Sequence, residues 1–168
     1  LYCDSRSSCY HVDDFDTVRA KANALRIVGR ELSRKAARGV IATGAMSDPY
    51  NPFEKNELLT RHALELINAY GFGVAIATKS DLIARDADVL RDIAEHSPAL
   101  CKLTVTTTDE ATAAKLEPPA PSPARRLSAL DTTHRAGLFP RALLMAGMPW
   151  LEDSEHHLVD VVRRRAKP

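Results

Sequence analysis

The chain has 168 residues, 45% of them hydrophobic and 27% charged, with a formal net charge of +1. That is enough apolar material for one domain with its own core, and too even a charge balance for a large electrostatic footprint on nucleic acid or membrane. No apolar run reaches membrane-spanning length and no signal peptide opens the chain, while three cysteines (Cys3, Cys9 and Cys101) are too few and too odd for a disulfide framework, which points to a reducing cytoplasm.

Residues 1–16 are polar and irregular. Asp16 or Thr17 can cap a helix running to about Arg38, with Val18, Ala22, Leu25, Val28 and Leu32 on one face and Gly39 as its end. Val40 to Thr43 reads as a buried strand. It passes through Gly44 into the loop Ala45 to Glu54, AMSDPYNPFE, where two prolines stiffen a run of hydroxyl and carboxylate side chains. A second helix is expected over Thr60 to Tyr70, with Leu59, Ala63, Leu66 and Ile67 inward and Gly71 after it.

Gly73 to Thr78, GVAIAT, is a continuous apolar run of the kind that forms strands covered on both faces. Lys79 and Ser80 sit at its carboxyl end. Ser80 or Asp81 caps a helix over roughly Leu82 to Glu95, stopped by Pro98, in which Arg85 and Asp86 read as a solvated pair. The third strand is expected over Leu100 to Thr107, rich in β-branched residues, then a short helix over Glu110 to Leu116 capped by Asp109. The proline-rich turn EPPAPSP, Glu117 to Pro123, leads into a helix to about Arg135 closed by Gly137. Phe139 to Met145 reads as a fourth strand, followed by Gly147 to Trp150 and a last helix capped at Ser154 and ending in three arginines.

Strand and helix alternate throughout, which predicts one α/β domain over residues 1–168 with a parallel sheet. Pattern alone leaves an open doubly wound sheet and a complete or partial barrel both open. No glycine-rich dinucleotide loop and no phosphate loop is present. Either fold places sites at the carboxyl ends of the strands, which makes Ser47, Asp48 and Glu54, then Lys79 and Ser80, then Thr107, the candidate site residues. Asp48 and Glu54 are carboxylates in a stiff loop, and Lys79 can hold an anionic group; an ordinary turn with capping residues is the alternative. Cys3 and Cys9, with His11, Asp13 and Asp14 behind them, read either as metal ligands or as two free thiols in a polar segment. Cys101 reads as a core residue, and His134, His156 and His157 as surface residues.

Five stretches taken together, YCDSRS (Tyr2 to Ser7), GAMSDPYNPFE (Gly44 to Glu54), ATKSDLIARD (Ala77 to Asp86), EPPAPSPARRL (Glu117 to Leu127) and MAGMPWLEDSE (Met145 to Glu155), resemble the radical S-adenosylmethionine (radical SAM) superfamily, in the branch related to spore photoproduct lyase. The resemblance runs in order over nearly the whole chain. It implies a partial (β/α)6 barrel, a 4Fe–4S cluster held by a CxxxCxxC loop, and SAM bound at the cluster through its amino and carboxyl groups. Reductive cleavage of SAM would start radical chemistry on a substrate, with an electron donor such as a flavodoxin or ferredoxin. Carried over by position, Cys3, preceded by the aromatic Tyr2, corresponds to the last cysteine of that motif. The loop with Ser47, Asp48 and Glu54 follows the second barrel strand, where the SAM amino group is contacted; Lys79 and Ser80 follow the third strand, and Thr107 the fourth. The first two cysteines and the first strand would precede Leu1, and a sixth strand is missing at the carboxyl end, so the barrel is expected to be truncated at both ends. Relation to a DNA-repair lyase makes nucleic acid a possible substrate, without support from charge. Two other functions stand beside this one: a non-catalytic remnant or interaction fragment with an open sheet edge, and an unrelated α/β enzyme using Asp48 and Lys79 without iron or SAM.

Overall fold

The structure is a computed structural model that describes residue 14 and residues 17–143. Cys3, Cys9, the segment Gly147 to Trp150 and the expected last helix lie outside the described residues.

Four parallel strands form one sheet in the order β1-β2-β3-β4: β1 Val40–Thr43, β2 Gly73–Thr78, β3 Ala99–Thr104 and β4 Arg141–Leu143. The helices are α1 Ala24–Arg34, α2 Glu54–Glu57, α3 Leu59–Ala69, α4 Ala87–Ala94, α5 Glu110–Leu116 and α6 Pro123–Arg135. A 3-10 helix, Asp81–Asp86, precedes α4. Spatial order follows chain order, so the described strands contain no point where the winding reverses. Right-handed crossovers, the near-universal hand, then put successive helices on one side of the sheet. The packing agrees, since α1 lies on α3, α3 on α4, and α6 on the 3-10 helix.

The strand period of two divides the sheet into unlike faces. Val74 and Ile76 of β2 and Cys101 and Leu103 of β3 are fully buried, with Leu64, Ile67, Ile83, Leu90 and Ile93 packed over them from the helices. On the other face Ala75, Ala77 and Lys102 are only half-buried. The expectation that β2 is covered on both faces is therefore met in full on one face and in part on the other.

Three further expectations are corrected. Val40 to Thr43 is a strand but not a buried one: Val40 is 48% exposed, because among the described strands β1 pairs only with β2 and forms the edge. The first helix starts at Ala24, not at residue 16 or 17. Val18, offered as a core position, is 56% exposed, and a stretch that buries none of its apolar side chains has little to offset the cost of helix nucleation. The helix expected from Leu82 opens as the 3-10 turn ending at Asp86, where that side chain is drawn inward.

Candidate functional site

The polar loops meet at the carboxyl ends of β1, β2 and β3. After Thr43 the chain crosses the carboxyl end of β2 at Gly44, where a Cβ would sit 1.9 Å from the carbonyl oxygen of Ala77. Asp48 then fastens the loop to that strand end. Its Oδ1 accepts hydrogen bonds from the Thr78 hydroxyl (2.6 Å) and from the Tyr50 amide (2.9 Å), and its Oδ2 accepts from the Lys79 amide (2.8 Å). Three of the roughly four acceptor positions of a carboxylate are thus used inside the protein. Ser47, one residue earlier, is exposed.

Glu54 faces the opposite way, into the protein. It is 3% exposed; Oε2 accepts from the Thr60 amide (2.9 Å) and Oε1 from the Arg61 amide (3.3 Å). Leu58, at the cap position of α3, offers no capping side chain, so the Glu54 carboxylate, six residues before Thr60, satisfies the first amides and sits at the favourable end of the helix dipole. The Thr60 hydroxyl donates to the Pro49 carbonyl (2.6 Å) and pins the loop to the same helix end.

Beneath the loop is a network that sequence reasoning missed. Arg85 and Asp86 are not a solvated pair. Asp86 is fully buried and accepts from the Tyr50 hydroxyl (3.1 Å), from Arg61 (3.1 Å), and from Arg85 through Nε (2.7 Å) and a terminal nitrogen (2.8 Å). Arg85 also reaches the Glu54 carboxylate (2.9 Å) and carbonyl (3.0 Å). Burial, then the neighbouring Asp86 carboxylate, push the Tyr50 phenol far up from its ordinary value, so it serves as a donor at any ordinary pH.

Arg61 completes the network with a two-pronged contact to Asp88 (3.0 and 2.7 Å). Those hydrogen bonds hold the Asp88 carboxyl down at about 2. A depressed folded-state value stabilises above the unfolded value near 4, and the gain is lost as pH falls toward 2. Asp88 is 54% exposed, so solvent screening limits the effect to about 1 kcal/mol or less. Urea unfolding of Asp88→Asn should show a small deficit at pH 7 that shrinks between pH 5 and pH 2. A deficit that does not change with pH would mean the ion pair contributes nothing.

The third part of the site joins the ends of β2 and β3 to the proline turn. Lys79 lies 3.6 Å from Glu117 Oε1, and the Thr106 hydroxyl donates to the same oxygen (2.9 Å). Glu117 Oε2 accepts from Arg126 (2.5 Å), which is 1% exposed and also donates to the carbonyls of Pro121 (2.8 Å) and Thr104 (3.1 Å). Glu117 and Arg126 were missed as site residues. The signal available was a carboxylate opening the proline turn and an arginine in the first turn of the helix that follows. Ser80 caps the 3-10 helix through Leu82, and buried Thr107 accepts from the Asp109 amide (3.1 Å). Asp109 caps α5, and the hydrogen bond from Thr112 lowers its carboxyl below the ordinary value.

Of the candidate residues, the structure brings Asp48, Lys79 and Ser80 together at the end of β2. Thr107 lies at the adjacent end of β3, and Glu54 is turned away behind the loop. Cys101 is a buried core thiol, pushed up to about 12 by burial. Among the described residues, no group of three or more histidine, cysteine or acidic side chains could hold a metal ion, and no helix is long and apolar enough to cross a membrane.

No family model matches the chain. It is similar to uncharacterized proteins of Mycobacterium tuberculosis and Mycobacterium bovis, each 29% identical over 164 residues, covering 94% of this chain and 48% of theirs. An uncharacterized protein of Methanocaldococcus jannaschii is 32% identical over 125 residues, covering 74% of this chain and 47% of its own length. The chain spans about half the length of the curated relatives it matches.

Proposed function

We propose that the chain forms the central part of a radical SAM barrel and that its strand-end loops bind SAM. The observation that carries this reading is the continuous run of contacts linking three of the resembling stretches at the carboxyl ends of the strands. Asp48 of the first holds Thr78 and Lys79 of the second, and Lys79 meets Glu117 of the third. The reversal-free parallel order supports a partial barrel over a doubly wound sheet, whose strand order would reverse.

The residues present suit SAM. The half-exposed Lys79 ammonium fits its carboxylate end. Its ammonium end fits the Asp48 carboxylate in the loop at residues 45–48, whose three hydrogen bonds use three of its roughly four acceptor positions. Glu54 does not fit that role, because its carboxylate is buried in the cap of α3. The described residues do not fit a 4Fe–4S cluster. The buried Cys101 thiol is not a ligand, so a cluster would rest on Cys3, and on Cys9 or thiolates from beyond these residues in a longer protein. In such a protein the cluster would supply the electron that cleaves SAM. A cytoplasmic flavodoxin or ferredoxin would deliver it, and nucleic acid is one candidate substrate class.

The test is anaerobic reconstitution of the full-length protein, read by iron and sulfide content and by SAM cleavage after reduction. About four irons per chain and cleavage of SAM are expected; iron-free protein that does not bind SAM would overturn the reading. A second reading, an interaction fragment, is favoured by the exposed apolar side chains of Val40, Met46 and Phe53 at and beside the β1 edge. It expects that iron-free, SAM-free outcome.

A further inference from the structure

The Lys79 ammonium, at the carboxyl end of β2, pairs with Glu117, and Arg126 stands behind Glu117. Arg126 has the features of a fixed anchor. It is buried to 1% exposure, and its guanidinium is spread over three acceptors from three places: Pro121 in the turn, Thr104 at the end of β3, and the Glu117 carboxylate. A guanidinium committed to three directions has little rotational freedom left, and its planar fork transmits that fixity to the carboxylate it holds. Glu117 is then held on its other side by the Thr106 hydroxyl. The contact from Glu117 to Lys79, at 3.6 Å, is the long one of the set, and the Lys79 side chain remains 36% exposed. An ion pair of that length leashes the lysine in direction without burying its charge.

We infer that Glu117 and Arg126 are positioning residues that aim the Lys79 ammonium at the anionic end of a bound ligand, without touching that ligand themselves. The inference rests on the proposed SAM reading, in which the anionic end is the carboxylate of SAM. Under this arrangement the energy that orders Lys79 is spent on folding and not on binding, the general advantage of a preorganised site. The sequence-distant origin of the parts matters too. Lys79 comes from the end of β2, Glu117 from the proline turn and Arg126 from α6, so the proline turn is the element that links the second strand end to the third.

A purely structural role is separated from a positioning role by a ligand that lacks the carboxylate. Equilibrium dialysis of the full-length protein with SAM and with decarboxylated SAM provides the comparison. Lys79→Met should weaken SAM binding about tenfold, the typical worth of a charged hydrogen bond, while decarboxylated SAM changes less than about twofold. Glu117→Gln, which keeps shape and removes charge, should reproduce the same selective loss at about three- to tenfold. The Lys79→Met/Glu117→Gln double variant should lose no more than Lys79→Met alone, because the second residue acts only through the first. Arg126→Lys should behave as Glu117→Gln if it folds; if it does not, Glu117→Gln and the double variant decide the matter. Equal weakening of both ligands by Glu117→Gln, no weakening of either, or an additive double variant would each overturn the inference while leaving the SAM reading standing. Wild-type protein that binds neither ligand would overturn the SAM reading and the inference together.

Discussion

Replacing Asp86 with alanine is expected to cost about 3–5 kcal/mol, the usual penalty for removing one side of a buried charged network. The carboxylate is 0% exposed and receives four hydrogen bonds on two oxygens, so its acceptor capacity is full. Its loss strands the Tyr50 hydroxyl in a site where the residue is 2% exposed and screened from bulk solvent. It also leaves Arg85 with the Glu54 carboxylate as its remaining acidic partner here, while Arg61 keeps Asp88 and Glu65. In a chain of this length that corresponds to a fall in Tm of roughly 10–15 °C. Asp86→Asn should recover only part of the loss, since an amide restores the shape but presents one end as a donor to a guanidinium. Tyr50→Phe isolates one leg and should cost about 1 kcal/mol. Thermal and urea unfolding followed by circular dichroism gives all three. A cost below about 1 kcal/mol for Asp86→Ala would show that the arginines are satisfied by solvent and that the network is not closed.

That network also shows what the amino-acid sequence could and could not convey. Local order was legible: GVAIAT is β2, the turn residues Gly71 and Gly137 follow α3 and α6, and Asp109 and Ser80 cap as their positions suggest. Each of these depends on neighbours within four residues, where period and capping rules operate. Asp86 depends on Tyr50, 36 positions away, and Arg85 on Glu54, 31 positions away. An Arg-Asp pair on a helix looks the same whether its neighbours are water or a folded-back loop. The reverse error occurs at Val40, where an apolar run suggests burial and the strand stands at the edge of the described sheet. Among the candidate site residues, Asp48 and Lys79 could be placed at strand ends by counting from the apolar runs. Glu117 and Arg126 could not, because their partnership is made by the fold of the proline turn and announced by no spacing rule. Among the described residues every buried polar side-chain atom finds a partner, so polar residues that pattern reasoning assigns to solvent have been absorbed into the interior.

The second large effect is expected at Gly44, where loop and sheet come closest. Gly44 has φ +95, and a Cβ there would lie 1.9 Å from the Ala77 carbonyl oxygen, 2.9 Å from its carbon and 3.0 Å from its nitrogen. Those atoms belong to β2, and Ala77 is in register with Lys102 of β3, so they cannot retreat without disturbing the sheet pairing. Gly44→Ala therefore combines the conformational strain of a positive φ, about 1–3 kcal/mol, with a clash against fixed backbone, and should cost about 3 kcal/mol or more. Gly137→Ala is the matched control. Its φ is +84, but nothing lies within 4 Å of the added carbon, so it carries strain alone. The difference between the two substitutions measures the close approach itself. If both cost the same in urea unfolding, the loop does not cross β2 as described. The consequence for the site is more specific than instability. Relief of the clash lifts the loop from the β2 end, and Asp48 can then no longer reach both the Thr78 hydroxyl and the Lys79 amide. Gly44→Ala should therefore expose the loop at residues 45–53 to limited proteolysis at temperatures where Gly137→Ala remains protected, because only the first substitution separates the loop from the strand end on which the proposed ligand site is built.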